Sequence, residues 1–447
     1  MQIDPKIFRP YDIRGLYPEQ IDKDTAYWIG RAFAYFIEGQ TIAVGHDVRL
    51  SSPVLAENLI AGLIDQGVDV IDIGVISSPM LSWLVAEKGL DGGAMVTASH
   101  NPKEYNGFKL VRQKALALTD VEIKRLQVLL IKKDWDKSEV AGYLKKDNIL
   151  NEYIDSLLKE NSFSINSFKI VADAANSVGG LILPKFFKKL DCQFSCLFCD
   201  LDGHFPNHLP NPLEKKNVED LQKEVLSQKA DLGIAVDGDV DRLIFIDEQG
   251  EVVRADLITA LLAEYFLKKN KEEKILCDVR SSRVVEEVIF ENGGEPVISK
   301  VGHSFIKQKM HEDDVIFGGE VSGHYYFKRE SFYYESPLKA ILIVLNLMSE
   351  QKKTLSELLM PFKRYCSSGE INFTLGNKEL ALQKAEETYK QGSVDHLDGL
   401  TVEFDDWWFN LRSSNTEPLL RLNIEADSQG LLQEKIKELR KIIESID

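Results

Sequence analysis

No stretch of this sequence stays apolar long enough to span a bilayer. The longest candidate, LKAILIVLNLM from Leu338 to Met348, falls short of the roughly 20 residues a transmembrane helix needs and carries Lys339 at its start. The opening residues, MQIDPKIFRP, hold no apolar signal core. Positive charge is scarce as well: 54 Lys and Arg face 71 Asp and Glu, a formal net charge of −17. Such an acidic chain is not built for nucleic acid or an anionic membrane, and an anionic ligand must find local basic groups. Cysteine is rare. Five in 447 residues fit a reducing cytoplasm better than a disulfide framework. Cys192, Cys196 and Cys199 lie close together, but no second cluster completes a zinc site, so they read as buried thiols.

What is present is the profile of a globular protein, 44% hydrophobic and 28% charged, and long enough for roughly three domains. From Thr41 the pattern alternates: strand TIAVG, helix SSPVLAENLIAGLIDQG, strand VDVIDIG, helix PMLSWLVAEKG and strand GGAMVTA. This βαβαβ order predicts a mostly parallel sheet with helices on its faces. A helix with a capping box follows at Thr119 and Glu122. The rhythm repeats from FKIVADAAN to ADLGIAVDG and again from EKILCDVR to DVIFGGEVSG. After Pro361 short strands and two helices indicate a smaller α+β domain. The predicted fold is therefore α/β: three similar mixed-sheet domains over 1–145, 146–250 and 251–363, then an α+β domain over 364–447.

Each α/β repeat ends on an unusual polar loop, and three chemically different loops at equivalent places suggest one shared cleft. In TASHNP the buried strand ends by presenting Thr97, Ser99, His100 and Asn101 before Pro102 stops it. Strand C-terminal ends are where open α/β sheets bind ligands, although a polar turn without chemistry reads the same way. In DGDVDR, Asp237, Asp239 and Asp241 alternate after an apolar strand. Carboxylates this close repel, so one stays protonated unless a cation sits among them, and hard oxygen ligands suit Mg2+. An EF-hand is rejected, because its sixth position requires Gly and here holds Arg242. An aspartyl nucleophile of the haloacid dehalogenase type remains open.

In GGEVSGH the glycines allow close backbone approach, and Glu320 with Ser322 suits sugar hydroxyls. RSSNTEPLLR packs Arg412, Ser414, Asn415, Thr416 and Arg421 into ten residues, the donors a phosphate dianion needs. Arg9, Arg14, Arg49 and Lys109 add cations in RPYDIRG, GHDVR and YNGFK; a surface salt bridge is the ordinary role for each.

With these loops in order, the chain resembles the α-D-phosphohexomutases, and among them the bacterial phosphomannomutase/phosphoglucomutases. YDIRG, TASHNP, YNGFK, DGDVDR, VGHSFIK, GGEVSGH and RSSNTEP occur in the family's order from Tyr11 to Pro418. The resemblance implies a heart-shaped protein of four domains with one loop from each meeting in a central cleft. It implies that Ser99 carries a phosphate and that Ser99, Asp237, Asp239 and Asp241 hold Mg2+. It further implies Arg14, His100, Lys109 and Arg242 around the transfer, with Tyr11, His303, Glu320, Ser322, His324 and the phosphate loop, Arg421 included, on the substrate. The implied reaction moves a phosphoryl group between Ser99 and a hexose 1- or 6-phosphate of mannose or glucose, through a hexose 1,6-bisphosphate that also acts as activator. Small sugar phosphates are then the partners of a cytoplasmic monomer or small homo-oligomer. A phosphoglucosamine mutase, a sugar phosphatase using Asp237 and a catalytically silent sensor are the alternatives.

Overall fold

The computed structural model describes residues 3–446 except 11, 134, 137, 162 and 415–418. It divides into two compact units, one of residues 1–255 with 322–358, the other of residues 256–321 with 359–447.

The first unit holds a six-stranded sheet in the order Ile13–Leu16, Tyr105–Arg112, Gly92–Val96, Thr41–His46, Asp69–Val75, Leu144–Lys146. Its centre is parallel, as the βαβαβ pattern predicts. Tyr105–Arg112, which the sequence presents only as a motif, returns antiparallel beside Gly92–Val96 and puts Lys109 opposite Met95. Helices Lys23–Ile37 and Ser52–Asp65 pack tightly against each other and share one hydrophobic core with this sheet. A Cβ on Gly30 would lie 2.2 Å from the Leu59 carbonyl oxygen, so only glycine permits that approach. Thr119 and Glu122 form the expected capping box on helix Asp120–Lys132.

A second sheet in this unit runs Leu243–Ile246, Leu232–Val236, Lys169–Asp173, Gln193–Leu197. The antiparallel pair Leu232–Val236 and Leu243–Ile246 is joined by the DGDVDR turn. The cysteines depart from expectation here: Cys196 and Cys199 form a disulfide, while Cys192 is free. Phe198 takes a left-handed φ of 52° between them, and the resulting Cα separation of 5.9 Å lies within the reach of a disulfide. The hairpin Tyr325–Arg329 with Phe332–Glu335 and the buried helix Pro337–Gln351 complete the unit. That helix contains LKAILIVLNLM, and among the described residues no helix is long and apolar enough to cross a membrane.

The second unit has parallel strands Lys274–Asp278, Glu295–Ser299 and Phe317–Gly319 with helices Arg283–Glu291 and His303–Asp313. It also has an antiparallel sheet ordered Cys366–Phe373, Leu420–Ala426, Trp407–Ser413, Leu400–Glu403, Ser393–Asp395. Helices Lys378–Tyr389 and Gln429–Glu444 cover it, the latter burying Leu432, Leu439 and Ile443 at helical spacing against Val402, Phe409, Leu411 and Leu422.

Candidate active site

Ser99 sits three residues beyond strand Gly92–Val96, buried, with a left-handed φ of 50°. Its hydroxyl donates to Asp237 Oδ2 at 2.7 Å and lies 3.2 Å from His100 Nδ1. Two loops distant in sequence are therefore in direct contact. Gly238 makes this approach possible, since a Cβ there would fall 2.2 Å from the Ser99 carbonyl oxygen.

Asp237, Asp239 and Asp241 are all buried, with ligand oxygens within 4.8 Å of one another. Lys109 Nζ lies 2.5 Å from both Asp239 Oδ2 and Asp241 Oδ2. Burial and the charges of Asp241 and Asp239 push the Asp237 carboxyl well above the usual carboxylate range. Burial would raise Asp241 too, but Lys109 and His324 hold it well below that range. Burial pulls Lys109 down, yet the three aspartates outweigh it and raise its amine above the ordinary value. One carboxyl kept neutral beside one kept ionised is the outcome expected of repelling groups without a strong cation. Asp239 Oδ1 is buried and has no hydrogen-bond partner. Three clustered carboxylates with an oxygen to spare fit a hard divalent cation.

The remaining expected residues of this unit converge on the same place. Arg14 donates to Asn101 Oδ1 at 2.6 Å and to Asp12 at 2.5 Å. His100 is held neutral, its pKa well below 6.5 through burial and the charges of Arg242 and Arg14. Ser322 Oγ shares a hydrogen bond of 2.8 Å with His324 Nδ1, and His324 Nε2 reaches Asp241 at 3.3 Å. The end of GGEVSGH is thus tied to the aspartate loop. Tyr11 lies outside the described residues.

In the second unit, Arg412 and Arg421 face each other across paired strands, and Glu370 lies 3.5 and 3.4 Å from them. Arg280 joins this cluster, 3.3 Å from Glu320 and 3.7 Å from Glu370. Burial, followed by the charge of Arg280, lowers the Arg412 pKa from its usual value. Arg280, Arg412 and Arg421 gather three guanidinium groups among Asp278, Glu320 and Glu370, and forked donors of this kind suit a phosphate as they suit carboxylates. Ser414 follows directly, His303 opens helix His303–Asp313, and Asn415 and Thr416 lie outside the described residues.

Comparison with known proteins gives this arrangement its family. Models for phosphoglucomutase/phosphomannomutase match in succession: α/β/α domain I over 5–136, domain II over 151–250, domain III over 254–365 and the C-terminal domain over 370–442. A phosphomannomutase of Vibrio cholerae is 38% identical over 457 residues, covering 98% of each chain. One of Methanocaldococcus jannaschii is 39% identical over 450 residues, covering 99% of each.

The chain belongs to the α-D-phosphohexomutases. The X-ray crystal structure of a phosphoglucomutase/phosphomannomutase family protein from Burkholderia thailandensis matches this phosphohexomutase with a TM-score of 0.91. Its identity is 31%, over 99% of this chain and 98% of that one. The enzyme is a sugar phosphate mutase.

Three residues of the mutase site escape the sequence reading. Ser78 donates to Asp239 Oδ2 through its hydroxyl, and its backbone N–H donates to the Asp239 carbonyl at 3.0 Å. Nothing in VISSPM marks it, because the contact spans 161 positions. Arg49, flagged only as a cation, is wholly buried beneath the Ser99 loop. Arg280 stands in CDVR, a repeat of the HDVR that holds Arg49, and that repeat was the available signal.

Proposed function

We propose that this mutase interconverts the 1- and 6-phosphates of mannose and glucose through a phosphoryl group carried on Ser99. The observation that supports this reading most is the Ser99 hydroxyl, 2.7 Å from Asp237 inside a buried carboxylate cluster. A phosphoserine beside three carboxylates is tolerable with a bridging cation, which also neutralises charge developing in phosphoryl transfer. Asp237, Asp239 and Asp241, with the phosphoryl oxygen on Ser99, would hold Mg2+, which supplies neutralisation of charge on the transferring oxygens.

In the first transfer, the free hydroxyl oxygen of the sugar phosphate forms a bond to phosphorus as the bond to Ser99 Oγ breaks. The hexose 1,6-bisphosphate formed turns end for end, and its other phosphoryl group returns to Ser99 by the same chemistry. Lys109 and Arg14 are the candidates for proton transfer at the reacting hydroxyl: as the attacking sugar oxygen gives up its proton the leaving Ser99 oxygen takes one up, and Lys109, its pKa raised by the aspartates, can relay it between them. Arg412, Arg421 and Ser414, with Asn415 and Thr416, grip the phosphate that is not reacting. Glu320 and Ser322 read the sugar hydroxyls.

The alternative is a phosphatase that uses Asp237 as its nucleophile, which would leave the Ser99 hydroxyl, 2.7 Å away, without a chemical role. Replacing Ser99 by Ala decides between them: mutase turnover is lost if Ser99 carries the phosphoryl group, and it survives if Asp237 does.

A further inference from the structure

The Asp-Val-Arg motif occurs twice, as Asp47-Val48-Arg49 after strand Thr41–His46 and as Asp278-Val279-Arg280 at the end of strand Lys274–Asp278. Both copies fold alike. The backbone N–H of Arg49 donates to Asp47 Oδ1 at 3.0 Å, and that of Arg280 to Asp278 Oδ1 at 2.8 Å. Each guanidinium then returns to its aspartate, through Nε at 3.0 and 2.9 Å. The middle repeat keeps the aspartate and changes the cation. Asp173 accepts the Ala175 N–H at 2.8 Å and pairs with His208 at 3.0 Å.

In the two Asp-Val-Arg copies the device grips the polar loop of its own repeat, and in the middle repeat the turn that follows Asp173 does so. Asp278 accepts the Val321 N–H at 2.9 Å while Arg280 reaches Glu320 in GGEVSGH. Ser177, four residues past Asp173, donates to the Asp237 carbonyl at 3.1 Å in DGDVDR. Arg49 makes the fullest use of this geometry. Its Nη2 donates to the carbonyls of Ser99 at 2.8 Å and Asn101 at 2.7 Å. Its Nη1 donates to those of Pro102 at 2.6 Å and Tyr105 at 3.1 Å. With Nε on Asp47, no N–H of the guanidinium is left over, and the ring of Phe205 lies beneath it at 5.2 Å.

The same aspartate holds the other side of Ser99. Asp47 Oδ2 accepts the Thr97 hydroxyl at 2.7 Å, and Thr97 Oγ1 accepts the Ser99 N–H at 2.9 Å. Both peptide groups flanking the Ser99 Cα are therefore fixed from Asp47, one through Thr97 and one through Arg49. A non-glycine residue at a φ of 50° persists only where its surroundings impose that conformation. A surface turn needs no buried arginine for this, and Arg49 and Asp47 are 0% and 1% exposed.

We infer that Arg49 and Thr97, both anchored on Asp47, are positioning residues that aim the Ser99 oxygen for phosphoryl transfer. The inference rests on the reading of Ser99 as the phosphoryl carrier. Misdirecting a reacting oxygen by an ångström costs about a hundredfold in rate, while substrate binding elsewhere is untouched. The role is therefore visible as a loss in kcat without a matching change in KM.

The test uses the full-length enzyme charged with glucose 1,6-bisphosphate, assayed for conversion of glucose 1-phosphate, with Tm measured alongside. Thr97→Val keeps shape and removes the hydroxyl; Arg49→Lys keeps charge and removes the fork. We expect both to lower kcat about a hundredfold with KM within about threefold of wild type, and Thr97→Ser to recover most of the rate. Should Arg49→Lys fail to fold, Thr97→Val decides alone. Wild-type kcat in folded Thr97→Val, or a lowered Tm with kcat per folded molecule unchanged, overturns the inference. Ser99→Ala, run in parallel, reads on the phosphoryl carrier itself, so failure of that reading is seen separately.

Discussion

Arg412 and Arg421 occupy directly opposed positions on neighbouring antiparallel strands, with Glu370 3.5 and 3.4 Å away as a common counter-ion. Like charges facing each other across a sheet are unfavourable unless something negative is shared between them. In the proposed reading the pair would also grip the phosphate that is not reacting.

Arg421→Ala is therefore expected to raise KM for glucose 1-phosphate by about tenfold or more, the loss of one charged hydrogen bond worth roughly 1.5–3 kcal/mol. Tm is expected to hold, because the change also removes a repulsion. Steady-state kinetics with thermal unfolding checks both. An unchanged KM in a stable protein would show that Arg421 serves the sheet rather than the ligand.

The unpartnered Asp239 Oδ1 gives a second expectation. Mg2+ added to the EDTA-treated enzyme should raise Tm, as any ligand of the native state does, and restore activity. Asp239→Asn should lose the Tm rise together with at least about a hundredfold in turnover. Full activity of that variant in EDTA would mean that the triad holds no metal.

His208 gives a dependence on pH. Burial pulls its pKa down, but the hydrogen-bonded Asp173 carboxylate outweighs this and holds it above the ordinary 6.5. A raised folded-state value means the pair's contribution is complete below the unfolded value and is lost as pH climbs through the folded one. The Tm gap between wild type and His208→Gln should then be wider at about pH 6 than at about pH 9. A gap that widens with pH would contradict the pairing.

Most of the fold was legible because local signals agreed with one another. The alternating strand and helix segments from Thr41 to Val96 became the expected strands and helices, and Thr119 capped its helix. The Ser99 loop and the aspartate loop were legible as strand ends. What the sequence hid is long-range. Ser78 is linked to Asp239 by a turn geometry no local pattern encodes, and the burial of Arg49 depends on four carbonyls in a different loop. The Cys196–Cys199 pair was misread because spacing alone does not reveal the left-handed Phe198 that brings the sulfurs together.

Specificity should be broad at C2. The sugar must bind in two opposite orientations, and the O3 and O4 pair looks similar both ways round. In the proposed reading Glu320, 3.3 Å from Arg280, and Ser322 would each offer a partner to that pair. The kcat/KM values for glucose 1-phosphate and mannose 1-phosphate are expected to agree within about tenfold, or roughly 1.4 kcal/mol. A hundredfold preference, or a preference for glucosamine 1-phosphate over both, would show that a residue outside GGEVSGH reads C2.

Whether Ser99 carries the phosphoryl group is read by peptide mapping after brief exposure to glucose 1,6-bisphosphate labelled with radioactive phosphorus. Acid-stable label is expected on the peptide containing Ser99, with loss of that label when unlabelled glucose 1-phosphate is added. Label confined to another residue, or an acid-stable label that substrate cannot remove, would contradict it.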